Sequence, residues 1–170
     1  MSIHAKFMQI ALDEAKKSPP KPTNFCVGAC LVASDSVDKP LITGYTLECE
    51  GNTHAEQCCF IKLSEVYKCD VGELGRHLPH DTVLYTTMEP CNKRSVGNTP
   101  CVDRILGLRR KDGTQAIKTV FVGVGEPETF VGINEGRKKL EDAGINVQHV
   151  TGFEDEILTV ATAGHDKHNE

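Results

Sequence analysis

Thr53-His54-Ala55-Glu56, then Met88-Glu89-Pro90-Cys91, then Pro100-Cys101 are the stretches whose reading decides this chain. One imidazole and two cysteine sulfurs make three good zinc ligands. Three protein ligands leave a fourth position for water, the layout of a catalytic rather than a closed structural site. Zinc lowers the pKa of a bound water to about 7. Glu56 is not needed as a ligand, so its carboxylate is available to move protons. Cys91 and Cys101 enclose nine residues, Asn92 to Pro100, rather than the two of a C-x-x-C pair.

Each residue also has a plainer reading. Thr53-x-x-Glu56 fits a capping box, with Glu56 bonding back to the Thr53 backbone. His54 alone is a core or surface histidine, and Cys91 and Cys101 alone are free thiols. A structural zinc would want a fourth ligand. His77 or His80 are the candidates, but neither stands in a C-x-x-C or H-x-x-H pairing. The combination outweighs these readings: His54, Cys91 and Cys101 are assigned to zinc and Glu56 to catalysis.

Outward from these stretches, Ile3, Phe7, Ile10 and Ala11 recur at helical spacing, predicting a helix over 2–17 that the prolines at 19, 20 and 22 end. Val27–Val32 and Leu41–Thr46 read as strands of a hairpin around a turn at 35–40. A helix opens at Gly51-Asn52-Thr53 and runs to about Val66, followed by a looser stretch to His80. Thr82–Thr87 is a strand leading to Cys91. A helix starts near Pro100, which suits a first turn, and runs to Leu108. Lys118–Gly123 is a strand, Phe130–Ala143 a helix stopped by Gly144, and Ile145–Val150 a strand. Glu154–Ala163 reads as a terminal helix before a polar tail. The later half alternates strand and helix, which favours parallel strands with covering helices. His54 and Cys101 then start helices, whose N-termini favour thiolate over thiol. Cys91 arrives at the carboxyl edge of the sheet, where open α/β sheets bind ligands.

The length of 170 residues suits one domain over 1–170, with the final helix and tail at 152–170. A net charge of -5 and a pI near 5.8 give no basic face for nucleic acid. Basic residues gather locally at Lys93, Arg94, Arg104, Arg109, Arg110 and Lys111, enough for one phosphate; for Arg109 to Lys111 a solvated helix end is an equal reading. No apolar stretch spans a bilayer and the N-terminus lacks a signal peptide's apolar core, so the expectation is an intracellular, cytoplasmic protein with no membrane partner. That context and the adjacent Cys58-Cys59 speak against a disulfide framework. Cys26, Cys30, Cys49, Cys58, Cys59 and Cys69 are read as reduced thiols, several of them buried.

The His-x-Glu and Pro-Cys…Cys set resembles the cytidine deaminase-like superfamily. Tyr85-Thr86-Thr87-Met88-Glu89-Pro90-Cys91 and Gly97-Asn98-Thr99-Pro100-Cys101-Val102-Asp103 resemble, more narrowly, the pyrimidine deaminases of riboflavin biosynthesis, whose cysteines flank a long insert. Thr23-Asn24-Phe25-Cys26-Val27-Gly28 also fits, and the likeness covers most of residues 1–150. The resemblance implies an α/β fold of three α/β/α layers with a five-stranded mixed sheet. Bacterial members place a basic residue where Asn98 stands, and are fused to a reductase for which this chain has no room. Both departures favour the fungal type, whose substrate carries a reduced ribityl chain.

By this resemblance the chain is a zinc hydrolase of 2,5-diamino-6-ribitylamino-4(3H)-pyrimidinone 5′-phosphate. Asn24 and His54 face the substrate, with Lys93, Arg94, Ser95, Asn98 and Thr99 as candidates for its ring or phosphate. Asn24 also reads as a simple turn residue. The family implies a homodimer. Deamination of the unreduced ribosyl precursor or of a nucleotide such as deoxycytidylate stays open, as does a zinc-stabilised binding module. His165 and His168 in the tail are read as solvated.

Overall fold

The computed structural model describes residues 2–94, 97–125 and 135–165. Helix α1 spans Ile3–Ala15, capped by the Ser2 hydroxyl, which accepts from the Ala5 N–H. Strands β1 (Gly28–Val32) and β2 (Ile42–Tyr45) follow, then α2 (Ala55–Tyr67), a 3-10 turn at Val71–Arg76, β3 (Thr82–Met88) and α3 (Cys101–Gly107). The chain continues through β4 (Ile117–Val124), α4 (Gly136–Asp142), β5 (Asn146–His149) and α5 (Glu154–Ala161).

The sheet runs β2-β1-β3-β4-β5. β1 pairs antiparallel with both β2 and β3, while β3, β4 and β5 are parallel, so the sheet is mixed. Side chains alternate across it, as the pleat requires. Ala29, Leu31, Leu84, Val120, Val122 and Val147 face one core layer with Phe60 and Leu63 of α2, Ile105 of α3 and Leu140 of α4. Cys30, Val32, Tyr85 and Phe121 face the other, against Phe7, Met8 and Leu12 of α1 and Ile157 of α5; Val124 also joins this layer at the end of β4, where the alternation breaks. Helices thus cover both faces, giving three α/β/α layers.

Element boundaries follow local backbone chemistry. α1 buries Phe7, Met8, Ala11, Leu12 and Ala15, while Ile3 is 39% exposed, so the apolar stripe is rotated from the expected one. Helix α2 begins later than expected. Leu47 (φ 68°) and Gly51 (φ 88°) turn the chain, and His54 is the N-cap, with extended backbone. Pro100 likewise caps α3 instead of lying in its first turn. Gly144 ends α4 at φ 88°, donating to the Glu141 carbonyl. The predicted start of that helix at Phe130 falls outside the described residues.

One close approach matters for the site. A Cβ on Gly44 would lie 2.5 Å from the Ala55 carbonyl oxygen and 2.9 Å from the Cys59 sulfur. Only a glycine on β2 lets the start of α2, and with it His54, lie this close to the sheet. Gly44→Ala therefore forces the helix start outward. It should lower stability by about 1–3 kcal/mol and weaken zinc retention, checked by denaturant titration and metal analysis of the same preparation.

Candidate active site

His54, Cys91 and Cys101 reach one point from three segments: the N-cap of α2, the residues following β3 and the first residue of α3. Their ligand atoms lie within 4.8 Å of one another. The His54 Nδ1 stands 3.4 Å from the Cys91 sulfur and 3.5 Å from the Cys101 sulfur. A tetrahedral zinc with Zn–N of about 2.0–2.1 Å and Zn–S of about 2.3 Å separates nitrogen from sulfur by about 3.6 Å. The donor set and its spacing therefore fit zinc. His77 and His80 are not in the group. His77 ends the 3-10 turn, its ring 6.3 Å from that of Tyr67, so the structural-zinc alternative finds no fourth ligand there.

The two sulfurs divide one charge. Hydrogen bonding with Cys101 draws the Cys91 thiol down to about 4, with the His54 ring helping and burial opposing. The same contact, with burial, pushes Cys101 well up. The Cys101 N–H also donates to the Cys91 sulfur at 3.3 Å, an amide aimed at the sulfur that holds the charge. A divalent cation bound by both sulfurs displaces the remaining proton.

Glu56 is 3% exposed, in the first turn of α2. Burial pushes its carboxyl up and the Cys91 sulfur adds to this, while the His54 ring and hydrogen bonding with Cys101 pull it down. The capping-box alternative for Glu56 does not hold. Gln57 takes that place, its Oε1 accepting from the His54 N–H at 3.3 Å. Thr53 instead donates its hydroxyl to the Cys49 carbonyl. Glu56 is thus left beside the ligand group.

Both Glu56 and His54 line a recess of about 160 Å³ with Asn24, Phe25, Thr46, Met88, Glu89 and Cys91. Asn24 is more than a turn residue. Its Nδ2 donates to Asn52 Oδ1 at 3.1 Å, while its own Oδ1 accepts from the Thr23 hydroxyl. The His165 Nε2 lies 2.9 Å from the Asn24 carbonyl, and its ring sits 4.9 Å from Phe25. The expectation of a solvated His165 is therefore corrected: the end of the described chain packs on the rim of the recess. His168 lies outside the described residues.

Lys93, Arg94, Asn98 and Thr99 lie on the insert between the cysteines and do not line the recess; Ser95 is outside the described residues. Arg94 fastens the insert, donating to the carbonyls of Asn52 at 2.7 Å and Thr99 at 3.3 Å and to Gln57 Oε1 at 3.3 Å. Thr99 also accepts from Arg104. Arg109 to Lys111 precede β4 and so stand at the opposite edge of the parallel strands. There Arg110 donates to the Leu78 carbonyl and Arg109 to the Gly113 carbonyl, which removes them from the phosphate candidates. All eight cysteines are free, with Cys26, Cys30, Cys58 and Cys59 buried as expected of small apolar side chains. Sequence reasoning missed Asn52 and Gln57, ordinary polar residues whose links exist only once the insert folds back. It also missed Phe25 and Glu89 as lining residues, although both stand inside quoted motifs.

A three-layer fold presenting a His/Cys/Cys group and a buried glutamate at the sheet edge is the arrangement expected of the zinc-deaminase class. Residues 1–115 match the profile of the cytidine and deoxycytidylate deaminase zinc-binding region, and the chain belongs to that family. More particularly, it is similar to the Rib2 deaminase of Aspergillus oryzae. The crystal structure of a C-terminal deletion mutant of that protein at pH 4.6 superposes with a TM-score of 0.88 and 46% identity, over 98% of this chain and 94% of that one. The same deletion mutant in complex with DARIPP at pH 6.5 gives 0.86 and 45%, over 97% and 93%. The diaminohydroxyphosphoribosylamino-pyrimidine deaminase of Schizosaccharomyces pombe is 38% identical over 162 residues, 95% of this chain but only 36% of that longer protein. Among the described residues no helix is long and apolar enough to cross a membrane.

If His54, Cys91 and Cys101 hold zinc together, Cys101→Ser should reduce the zinc retained after dialysis to a small fraction of the parent's. Atomic emission on the purified proteins checks this.

Proposed function

We propose that this chain deaminates 2,5-diamino-6-ribitylamino-4(3H)-pyrimidinone 5′-phosphate by hydrolysis, giving 5-amino-6-ribitylamino-2,4(1H,3H)-pyrimidinedione 5′-phosphate and ammonia. The observation that carries the reaction type is a buried glutamate sharing a recess with a three-ligand group that fits zinc. A phosphorylated diaminopyrimidine substrate is supported by the DARIPP complex of the Aspergillus oryzae relative, by the phosphoribosylamino-pyrimidine named for the fission-yeast relative and by the long insert; the reduced ribityl chain is chosen on the fungal-type departures in the sequence.

His54, Cys91 and Cys101 would hold the metal. Zinc, when bound, supplies the Lewis acidity that lets water react near neutral pH. Glu56 takes a proton from the attacking water and delivers it to a ring nitrogen as the C2–O bond forms. It then carries the proton of the new hydroxyl to the exocyclic amine. The C2–N bond breaks, ammonia leaves and a carbonyl remains at C2. One carboxyl serves as base and then as acid because each delivery restores its charge. The low-dielectric setting that raises the Glu56 pKa suits a group that must hold a proton between the two transfers.

Asn24, held in place by Thr23 and Asn52 at the recess, fixes the ring through its amide group. Lys93, Arg94, Ser95, Asn98 and Thr99 present the insert's donors to the ribityl phosphate. The reading also takes the protein to be cytoplasmic and to act as a homodimer, a state that sedimentation would check.

Glu56→Gln should retain zinc while turnover falls by about 10²–10⁴-fold, the usual worth of a positioned acid–base group. Ammonia release from the reduced ribityl substrate, its unreduced ribosyl precursor and deoxycytidylate decides between the substrates; preference for deoxycytidylate sinks the riboflavin reading. Arg94→Ala should raise KM for the phosphorylated substrate about tenfold and leave KM for the dephosphorylated one nearly unchanged. An equal rise for both would assign Arg94 to its tether on Asn52 alone.

A further inference from the structure

The last described residues of the chain return to the recess. After α5 the chain turns at 162–165, the Ala163 N–H donating to the Val160 carbonyl and the His165 N–H to the Thr162 carbonyl. The end of α5 and this turn grip the segment ahead of β1 at three points. The Cys26 N–H donates to the Ala161 carbonyl at 3.0 Å. A Cβ on Gly164 would run into the backbone of Pro20 and Lys21, so the two stretches meet there backbone to backbone. The half-buried His165 ring places Nε2 2.9 Å from the Asn24 carbonyl and its centroid 4.9 Å from that of Phe25. A carbonyl only accepts, so Nε2 carries the hydrogen of that bond.

The gripped segment is one that needs holding. Residues 24–27 precede β1 and belong to neither helix nor strand. The Asn24 N–H makes a long bond, 3.5 Å, to the Lys21 carbonyl. Yet Thr23, Asn24, Phe25 and Val27 all line the recess. Thr23 and Asn52 fix the tip of the Asn24 side chain, and His165 fixes its backbone. Holding the tip alone would leave the irregular backbone free to shift, and a misplacement of about 1 Å in a substrate-positioning group is costly.

We propose that His165 is a positioning residue for the pyrimidine: its bond to the Asn24 carbonyl sets the backbone from which the Asn24 amide meets the ring. This rests on the reading of Asn24 and of the substrate given above. His165 does not itself line the recess, so it acts through Asn24. The Phe25 ring packs against the imidazole and keeps it turned to the carbonyl. A contact that binds substrate and transition state alike shows in KM rather than kcat.

The experiment compares the full chain, zinc-loaded, with His165→Ala, His165→Gln, Asn24→Ala and the Asn24→Ala/His165→Ala double variant. Each is assayed for ammonia release from the diamino ribityl compound and from deoxycytidylate, with zinc content and melting temperature measured on the same preparations. His165→Ala should raise KM for the compound the parent prefers by about three- to tenfold, the worth of one neutral hydrogen bond, with kcat and zinc content near the parent's. His165→Gln, which offers an amide N–H at similar reach, should recover most of that rise. In the Asn24→Ala background the His165 change should add little, because both act through one contact. An unchanged KM in His165→Ala, a KM rise matched by equal losses of kcat and zinc, or full additivity in the double variant overturns the role of His165. A parent that prefers deoxycytidylate overturns the substrate reading instead, and the same three comparisons, made on that compound, still decide the role of His165.

Discussion

The convergence of one imidazole and two sulfurs is the constraint on which the rest of this structure depends. The three donors come from positions 54, 91 and 101, on segments that meet only at the carboxyl edge of the sheet. Two buried thiols and a carboxyl cannot all ionise side by side without a compensating cation, because burial and mutual repulsion oppose each new charge. The titration of the site carries that tension: Cys91 takes the charge, while Cys101 and Glu56 are pushed towards their protonated forms. A divalent metal relieves it, and so couples site formation to folding.

Much of the surrounding architecture serves to hold that point. Gly44 lets α2 settle on β2, and the antiparallel β1 joins this hairpin to the parallel strands that deliver Cys91. The long insert is held as well. Arg94 bonds to Asn52 and Gln57, and Gln57 bonds to the backbone of His54. Asn52 also supports Asn24. The His54 backbone, the insert and the recess-lining Asn24 thus belong to one hydrogen-bonded chain, in which a change at one member is felt at the others.

Legibility followed the range of the interaction. Short apolar runs and helical spacing located the strands and α-helices among the described residues, while the 3-10 turn at Val71–Arg76 fell in a stretch read only as loose, and Gly144 marked the end of α4 through local backbone chemistry. The boundaries at His54 and Pro100 moved by a residue or more, because caps are settled by which side chain reaches the free N–H groups. Thr53 had the right chemistry to cap with Glu56, yet the loop before it drew its hydroxyl to Cys49. Arg109 to Lys111 and Arg94 are alike as letters. Their placement at opposite ends of the sheet separates a distant turn from an insert tied to the site.

The ligand set and the class of chemistry were determined by the sequence alone, since imidazole, thiolate and carboxylate have few other reasons to recur in that pattern. The substrate inference came instead from the resemblance to the riboflavin-pathway deaminases, to which the nine-residue spacing of Cys91 and Cys101 contributed. What only the tertiary structure decided was which neutral or charged neighbours share the recess. Glu56 escaped its capping role, His165 reached Asn24 from the far end of the chain, and Glu89 turned towards the same recess as Glu56. Those outcomes depend on contacts across many tens of residues, where burial and backbone approach, rather than local pattern, choose the partner.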